Sequence, residues 1–352
     1  MHVCMIVPNE AVKGGIASVV NGYRGSVLEK RCHITYIESY QDGSKWDKLK
    51  KALAGYRAFR RLLRKDRPDL VHIHSSFGPS FYRKMPFILW SASRGIPVVN
   101  HIHGAEFDAF YEKASAAKKR RVRRVYRRCT RFIVLSEEWK EKIAQIVPAD
   151  RIDVIENYCV LPEKICHEER RQNQILFLGA LEERKGCYDM PVIFECVKRK
   201  CPDARLVMAG DGQMKQVREA FDKKNLLADV TFTGWVRGQE KDRLLRQSAV
   251  FLFPSYNEGM PMAVLEAMGY GLGIVTTTVG GIPQLIAHGR SGFLETSGDL
   301  TAMAEDVCEL IQDDGLCRHM GETARETVEQ RYSLKMHLQK LEETYRKACL
   351  TK

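Results

Sequence analysis

Phe253-Pro254-Ser255-Tyr256-Asn257-Glu258-Gly259-Met260-Pro261-Met262-Ala263-Val264-Leu265-Glu266-Ala267-Met268-Gly269-Tyr270-Gly271-Leu272-Gly273 reads as the end of a strand, a turn and a helix. The run that leads into it, Ala249 to Phe253, is short, apolar and β-prone, the pattern of a buried strand. After a polar turn comes Pro261, suited to a first helical position because its missing N–H would have no partner there. Met262, Leu265 and Met268 give the predicted helix an apolar face, and Gly269, Gly271 and Gly273 stop it. A strand, turn and helix in this order place free backbone N–H groups and the positive end of a helix dipole beyond a parallel sheet. Such a place favours anions. Glu258 lies in the turn, and Glu266 falls about a turn and a half inside the helix.

An anion-favouring turn with two carboxylates suits a ligand that carries both phosphates and hydroxyls, such as a nucleotide sugar. The stretch resembles the Glu-(seven residues)-Glu signature of the retaining family-four glycosyltransferases. Gly280-Gly281-Ile282-Pro283 and His288-Gly289-Arg290-Ser291-Gly292-Phe293-Leu294 resemble the same family. Two glutamates at this spacing could come from any charged helix. It is the whole run from Ser255 to Leu294 that carries the resemblance. It implies an α/β protein of the GT-B fold, with two Rossmann-like doubly wound domains facing each other across a cleft.

Composition agrees with two domains. The chain has 352 residues, more than one core usually holds, with 44% hydrophobic and 28% charged residues, as in globular proteins. No apolar run nears the ~20 residues of a membrane helix, and Met1 to Val7 reads as a first strand rather than a signal peptide. The eleven cysteines are scattered, with no Cys-x-x-Cys pair. They suggest reduced thiols in a cytoplasmic protein rather than a disulfide framework or a zinc site. The net charge of +12 is unevenly spread, with 31 Lys and Arg against 17 Asp and Glu through Lys164 and 25 against 27 after it. That asymmetry points to an anionic partner or surface for the first half.

Along the first half, apolar runs alternate with helical patterns, as a doubly wound sheet requires. Gly14-Gly15 follows the first strand and lets the backbone approach a ligand, with a helix expected onward to about Glu29. Trp46 to Arg67 is predicted helical, with Trp46, Leu49, Leu53, Tyr56, Phe59 and Leu63 as its apolar face among many cations. His103 ends a strand, where such sheets hold ligands. His72, His74 and His101 share neighbouring strands but lack a metal-ligand spacing, so packed or hydrogen-bonded histidines are expected and no metal. Lys118 to Arg128 carries eight cations in eleven residues on an amphipathic helix. Glu163 to Gln174 is polar and aperiodic. The expected domains are therefore 1–163 and 175–330, joined by a linker at 164–174, with a C-terminal helix at 331–352 that, by the resemblance, returns to the first domain.

The resemblance also assigns roles. Gly15 approaches the donor or the acceptor, and His103 of the His103-Gly104-Ala105-Glu106 segment reaches the donor sugar. Lys185 matches the family's phosphate lysine. The family's arginine directly after the glycine of the second domain's first strand is replaced by Ala180, and Arg184 is expected in its role. Glu258 lies near the sugar hydroxyls, and Glu266 accepts from the ribose hydroxyls. The backbone of Gly259, Met260, Pro261 and Met262 faces phosphate or sugar. Gln284 stands where the family has glutamate. Loss of a nucleoside diphosphate leaves charge that cations and N–H dipoles can neutralise without a metal or cofactor.

The function implied is retaining, metal-independent transfer of a hexosyl group from a nucleotide sugar, UDP being the commonest carrier in the family. The acceptor would be a glycan or polyprenyl-linked glycan of cell-surface polysaccharide synthesis. The basic helices suggest a cytoplasmic protein held peripherally at the anionic inner face of the membrane. Two other readings compete. A nucleotide-sugar epimerase of the same fold would need no acceptor. A nucleic-acid-binding protein would use the cations, but no aromatic base platforms accompany them.

Overall fold

The computed structural model describes residues 1–104, 107–165 and 167–350. They form two compact units, residues 1–157 with 334–352, and residues 158–333.

The first unit begins β1 (His2–Pro8), α1 (Gly15–Asn21), α2 (Val27–Arg31), β2 (His33–Tyr40), α3 (Lys45–Lys65) and β3 (Leu70–Ser75). It continues α4 (Pro79–Ala92), β4 (Val98–Ile102), α5 (Ala116–Tyr126), β5 (Arg131–Val134), α6 (Glu137–Ala144) and β6 (Ile152–Val154). The strands pair in the order β2-β1-β3-β4-β5-β6, all parallel. Parallel strands covered on both sides are buried along their length, and β1, β3 and β4 are buried almost end to end, the polar residues of β3 and β4 included.

The second unit contains β7 (Arg171–Leu178), α7 (Met190–Lys200), β8 (Arg205–Ala209), α8 (Met214–Asp222), β9 (Val230–Phe232) and α9 (Gly238–Gln247). Then come β10 (Ser248–Phe253), α10 (Met262–Gly269), β11 (Gly273–Thr277), β12 (Phe293–Glu295), α11 (Leu300–Gln312) and α12 (Asp314–Arg331). Its order is β12-β11-β10-β7-β8-β9, again all parallel. The last helix, α13 (Leu334–Leu350), packs in the first unit on α2, β3 and β4. Two parallel doubly wound sheets with flanking helices are the GT-B architecture.

Several boundaries differ from expectation. The units part at Asn157 and Tyr158, ahead of the expected 163, and most of the expected linker is structured within the second unit. Arg171 opens β7 rather than preceding it. The polar stretch misleads because its side chains pair with backbone: Gln172 Nε2 donates to the Leu310 carbonyl at 2.8 Å and Asn173 Nδ2 to that of Asp203 at 2.7 Å. The helix expected from the glycine pair to Glu29 is broken between Asn21 and Val27, where Gly25 holds φ 69°. Pro261 caps α10 from outside, with extended ψ 124°, rather than opening it.

The α3 face departs most. Ala52, Gly55, Phe59 and Leu63 are the residues turned inward, whereas Trp46, Leu49 and Leu53 are 71%, 49% and 42% exposed. Gly55 explains the rotation. A Cβ there would stand 2.7 Å from the Glu38 carbonyl, so the helix meets β2 closely only at this glycine.

Candidate active site

The second sheet reverses its winding between β7 and β10. Doubly wound sheets hold ligands beyond the carboxyl ends of the strands at such a point, and here the two turns leaving those strands interlock. The Tyr256 N–H donates to the Arg184 carbonyl at 2.8 Å. Gly186, at φ 70°, lies so close that a Cβ would stand 2.0 Å from the Pro254 carbonyl oxygen. A third segment braces the same turn. The Gly281 N–H donates to the Gly259 carbonyl at 2.7 Å, and a Cβ on Gly280 would stand 1.9 Å from the Glu258 carbonyl oxygen. The glycine pair is thus demanded by the backbone it lies against.

Inside this frame Lys185 and Glu258 form an ion pair, with only 14% and 7% of their side chains exposed. The Ser255 hydroxyl lies 2.8 Å from Glu258 Oε1 and 3.0 Å from the Arg184 carbonyl; its single proton serves one at a time. Lys185 Nζ also stands 5.1 Å from the Phe253 ring centroid. Burial pushes the Lys185 ammonium below its ordinary pKa, and the Glu258 carboxylate opposes that shift without cancelling it. The cation is therefore under-solvated and favours an arriving anion.

Arg184 points elsewhere. Its side chain is 48% exposed and pairs with Glu182 at 2.8 Å, so what it contributes to the turn is its carbonyl. Glu266 lies on α10, 2.6 Å from Lys241 Nζ of α9. Lys241 was missed in the sequence. Its signal was indirect: a carboxylate on an otherwise apolar helix calls for a cation. Gly259, Met260 and Met262 follow Glu258 directly and carry the turn into α10, whose first N–H groups have no partner within the helix.

In the first unit, His103 follows β4 and its N–H donates to the Ser75 carbonyl at 2.9 Å. Glu106, which the resemblance joined to it, lies outside the described residues. Gly15 opens α1 after Gly14, whose φ of 139° needs glycine; a Cβ on either would meet nothing within 4 Å, so the space before them is open.

The histidines are closer than their sequence spacing suggested. Parallel pairing sets His74 opposite His101, and side-chain alternation puts His72, His74, His101 and His103 on one face of β3 and its neighbour. His72, His74 and His101 offer ring nitrogens within 4.8 Å of one another. His72 Nδ1 meets the Tyr345 hydroxyl at 2.6 Å, and His74 Nδ1 meets His103 Nε2 at 2.9 Å. Burial pushes the pKa of His103 down to about 3, and those of the other three well below the ordinary value. All four rings are neutral. His337 of α13 completes the group. Its Nδ1 meets the Glu156 carbonyl at 2.7 Å, so it holds the proton there, and Nε2 accepts from the Tyr23 hydroxyl at 2.7 Å.

Two family descriptions match the chain: "Glycosyl transferases group 1" over residues 164–327 and "Glycosyl transferase 4-like domain" over residues 24–158. An Escherichia coli UDP-Gal:alpha-D-GlcNAc-diphosphoundecaprenol alpha-1,3-galactosyltransferase is 27% identical over 81% of this chain and 77% of its own length. An uncharacterised glycosyltransferase of Methanocaldococcus jannaschii is 23% identical over 89% of both chains. Among solved structures, the sucrose-phosphate synthase of Thermosynechococcus elongatus superposes with a TM-score of 0.83 over the full length of both chains, at 15% identity. HepE of Anabaena, solved with UDP and glucose, gives 0.76 over 98% of this chain and 99% of its own, at 18% identity.

Proposed function

The chain belongs to the family-four glycosyltransferases, glycosyl transferases group 1, with the GT-B fold, and on that premise we propose that it is a retaining, metal-independent hexosyltransferase using a UDP-sugar. The observation that carries this reading is the buried Lys185–Glu258 pair at the winding reversal of the second sheet. Phosphate oxygens arriving from the donor compete with Glu258 for an ammonium that burial has left short of solvation. As the sugar–phosphate bond breaks, negative charge grows on the β-phosphate, and Lys185 with the amides of the braced turn stabilises it. Glu258, released from its lysine, is free to accept from sugar hydroxyls. Glu266 takes the ribose hydroxyls, with Lys241 holding its carboxylate in place until then. On the retaining reading the leaving phosphate assists deprotonation of the acceptor on the same face of the sugar.

The acceptor we propose is a glycan or polyprenyl-linked glycan of cell-surface polysaccharide synthesis, met in the first unit at Gly15. This draws on the Escherichia coli relative, whose acceptor is a diphosphoundecaprenol-linked sugar. The exposed cations of α5 fit a cytoplasmic protein held at an anionic membrane face. The test is thermal stabilisation by UDP-, GDP-, ADP- and TDP-sugars. A ligand raises stability by RT ln(1 + [L]/Kd), so a UDP-sugar should shift Tm furthest, with EDTA making no difference. Equal shifts with all four carriers, or none, would overturn the donor assignment.

A further inference from the structure

The first unit leaves an apolar stripe uncovered. Trp46, Leu49 and Leu53 recur at helical spacing along the outer side of α3, and each is more than two-fifths exposed. The same line continues as Arg57, Arg60 and Arg64, all exposed. Around the apolar half stand Lys45, Lys48 and Lys50, also exposed. The helix is not loose: Ser44 and Asp47 close a capping box at its start, and Gly55 seats it against β2.

Its neighbours extend the surface. The connections β2 to β3, β3 to β4 and β4 to β5 all step the same way across the sheet, so right-handed crossovers put α3, α4 and α5 on one side. They pack in a row, Tyr56 of α3 on Phe87 of α4 and Phe81 of α4 on Tyr126 of α5. The outer side of this layer carries the α3 stripe, then Tyr82 and Leu89 of α4, then the arginines of α5. Aromatic and leucine side chains ringed by lysine and arginine match a bilayer interface. Apolar groups enter below the headgroups, and cations meet the lipid phosphates.

We infer that the N-terminal half of α3 is a membrane wedge: Trp46, Leu49 and Leu53 insert into an anionic bilayer, with the arginines of α3 and α5 bound to its phosphates. This rests on the proposed membrane-face location, and it names the contact that supplies it. Charge alone would give only salt-sensitive attraction. The stripe adds an apolar component that survives high salt.

The experiment uses the whole chain with vesicles of phosphatidylcholine and phosphatidylglycerol. Trp46 emission should shift to the blue on binding and be quenched by lipids brominated near the headgroup, and both effects should vanish in Trp46→Phe. The triple variant Trp46→Ser/Leu49→Ser/Leu53→Ser should keep the wild-type Tm and lose vesicle affinity by about tenfold or more. If the wild type binds vesicles and the triple variant binds equally, the wedge is overturned while the membrane-face location stands. No wild-type binding to anionic vesicles overturns both, and the donor panel still tests the transferase separately. A dimer in sedimentation that the triple variant abolishes would overturn the wedge in favour of a second copy of the chain.

Discussion

The two sheets follow one parallel plan, yet their ligand ends are chemically opposite. On one face of the first sheet, running to its carboxyl end at His103, lie the neutral imidazoles of His72, His74, His101 and His103, covered by Tyr345 and His337. Beyond the second lies a charged pair, Lys185 and Glu258. A buried histidine can shed its proton and stay neutral, whereas a lysine and a glutamate stay charged only if they meet. The first arrangement can orient a hydroxyl, but its rings carry no charge to meet an anion. The second is poised for phosphate. One architecture therefore holds two kinds of site, and the difference lies in which side chains the strands and the turns after them carry.

Acid should separate the two halves most strongly. Below pH 6.5 the unfolded chain protonates its histidines, but folded His337, pushed down to about 4, and His103, down to about 3, refuse the proton. The unfolded state then binds more protons, so stability falls with pH, by ~1.4 kcal/mol per unit for each such group at the limit. The second unit has the opposite case. Burial and Glu295 push Asp306 up to about 7, so the folded state takes a proton between about 7 and 3.8, and stability there rises as pH falls. Hydrogen exchange corrected for intrinsic rate, taken at pH 7 and pH 5, should show protection falling in β3 and β4 and holding in β10 and β11. A parallel change in both units would break the contrast.

Next in size is the lysine itself. Lys185→Ala should cut kcat by roughly 10²–10³, as loss of a donor aimed at developing charge does elsewhere. It also leaves Glu258 buried without its cation, and breaking such a pair costs about 3–5 kcal/mol. Lys185→Ala/Glu258→Ala should therefore be more stable than the sum of the single losses implies, while staying inactive. Additive losses in denaturant titration would show that the two side chains are not coupled.

This second site was the more legible of the two. The turn at Glu258, the helix bearing Glu266 and the glycine pair at Gly280 are contiguous in sequence, and local chemistry marks each. Lys241 was not legible because its role is set by a helix packing across from Glu266. The histidine face was hidden for a related reason. His74 and His101 are partners only once β3 and β4 pair in one register, and spacing along the chain cannot show that. The apolar face of α3 misled because periodicity gives a stripe without saying which way it turns; a glycine at position 55 decided it.

A smaller effect should follow from Glu266→Ala. Hydrogen bonds to a charged group are each worth about 1.5–3 kcal/mol, so UDP affinity by calorimetry should fall tenfold or more. Lys241→Ala should weaken binding less, because it only holds the carboxylate. Equal losses from the two would mean that Lys241 touches the nucleotide itself, and unchanged affinity in Glu266→Ala would remove the ribose role.

The smallest expected effect belongs to Arg184, which probes where the phosphate site ends. Its exposed pair with Glu182 contributes about 1 kcal/mol at most, and its carbonyl contacts to Tyr256 and Ser255 survive any side-chain change. Arg184→Ala should therefore leave Tm almost unmoved. If the guanidinium swings in to serve where Ala180 leaves no cation, kcat/KM should drop by about tenfold or less, well short of Lys185→Ala, because a solvated arginine gives up hydration that the buried lysine never had. Restoring an arginine at position 180, as Ala180→Arg/Arg184→Ala, should recover most of that loss. Full activity in Arg184→Ala would mean that Lys185 and the turn amides suffice alone. A loss that Ala180→Arg cannot repair would mean that Arg184 acts from its own position, on a different part of the donor from the missing family arginine.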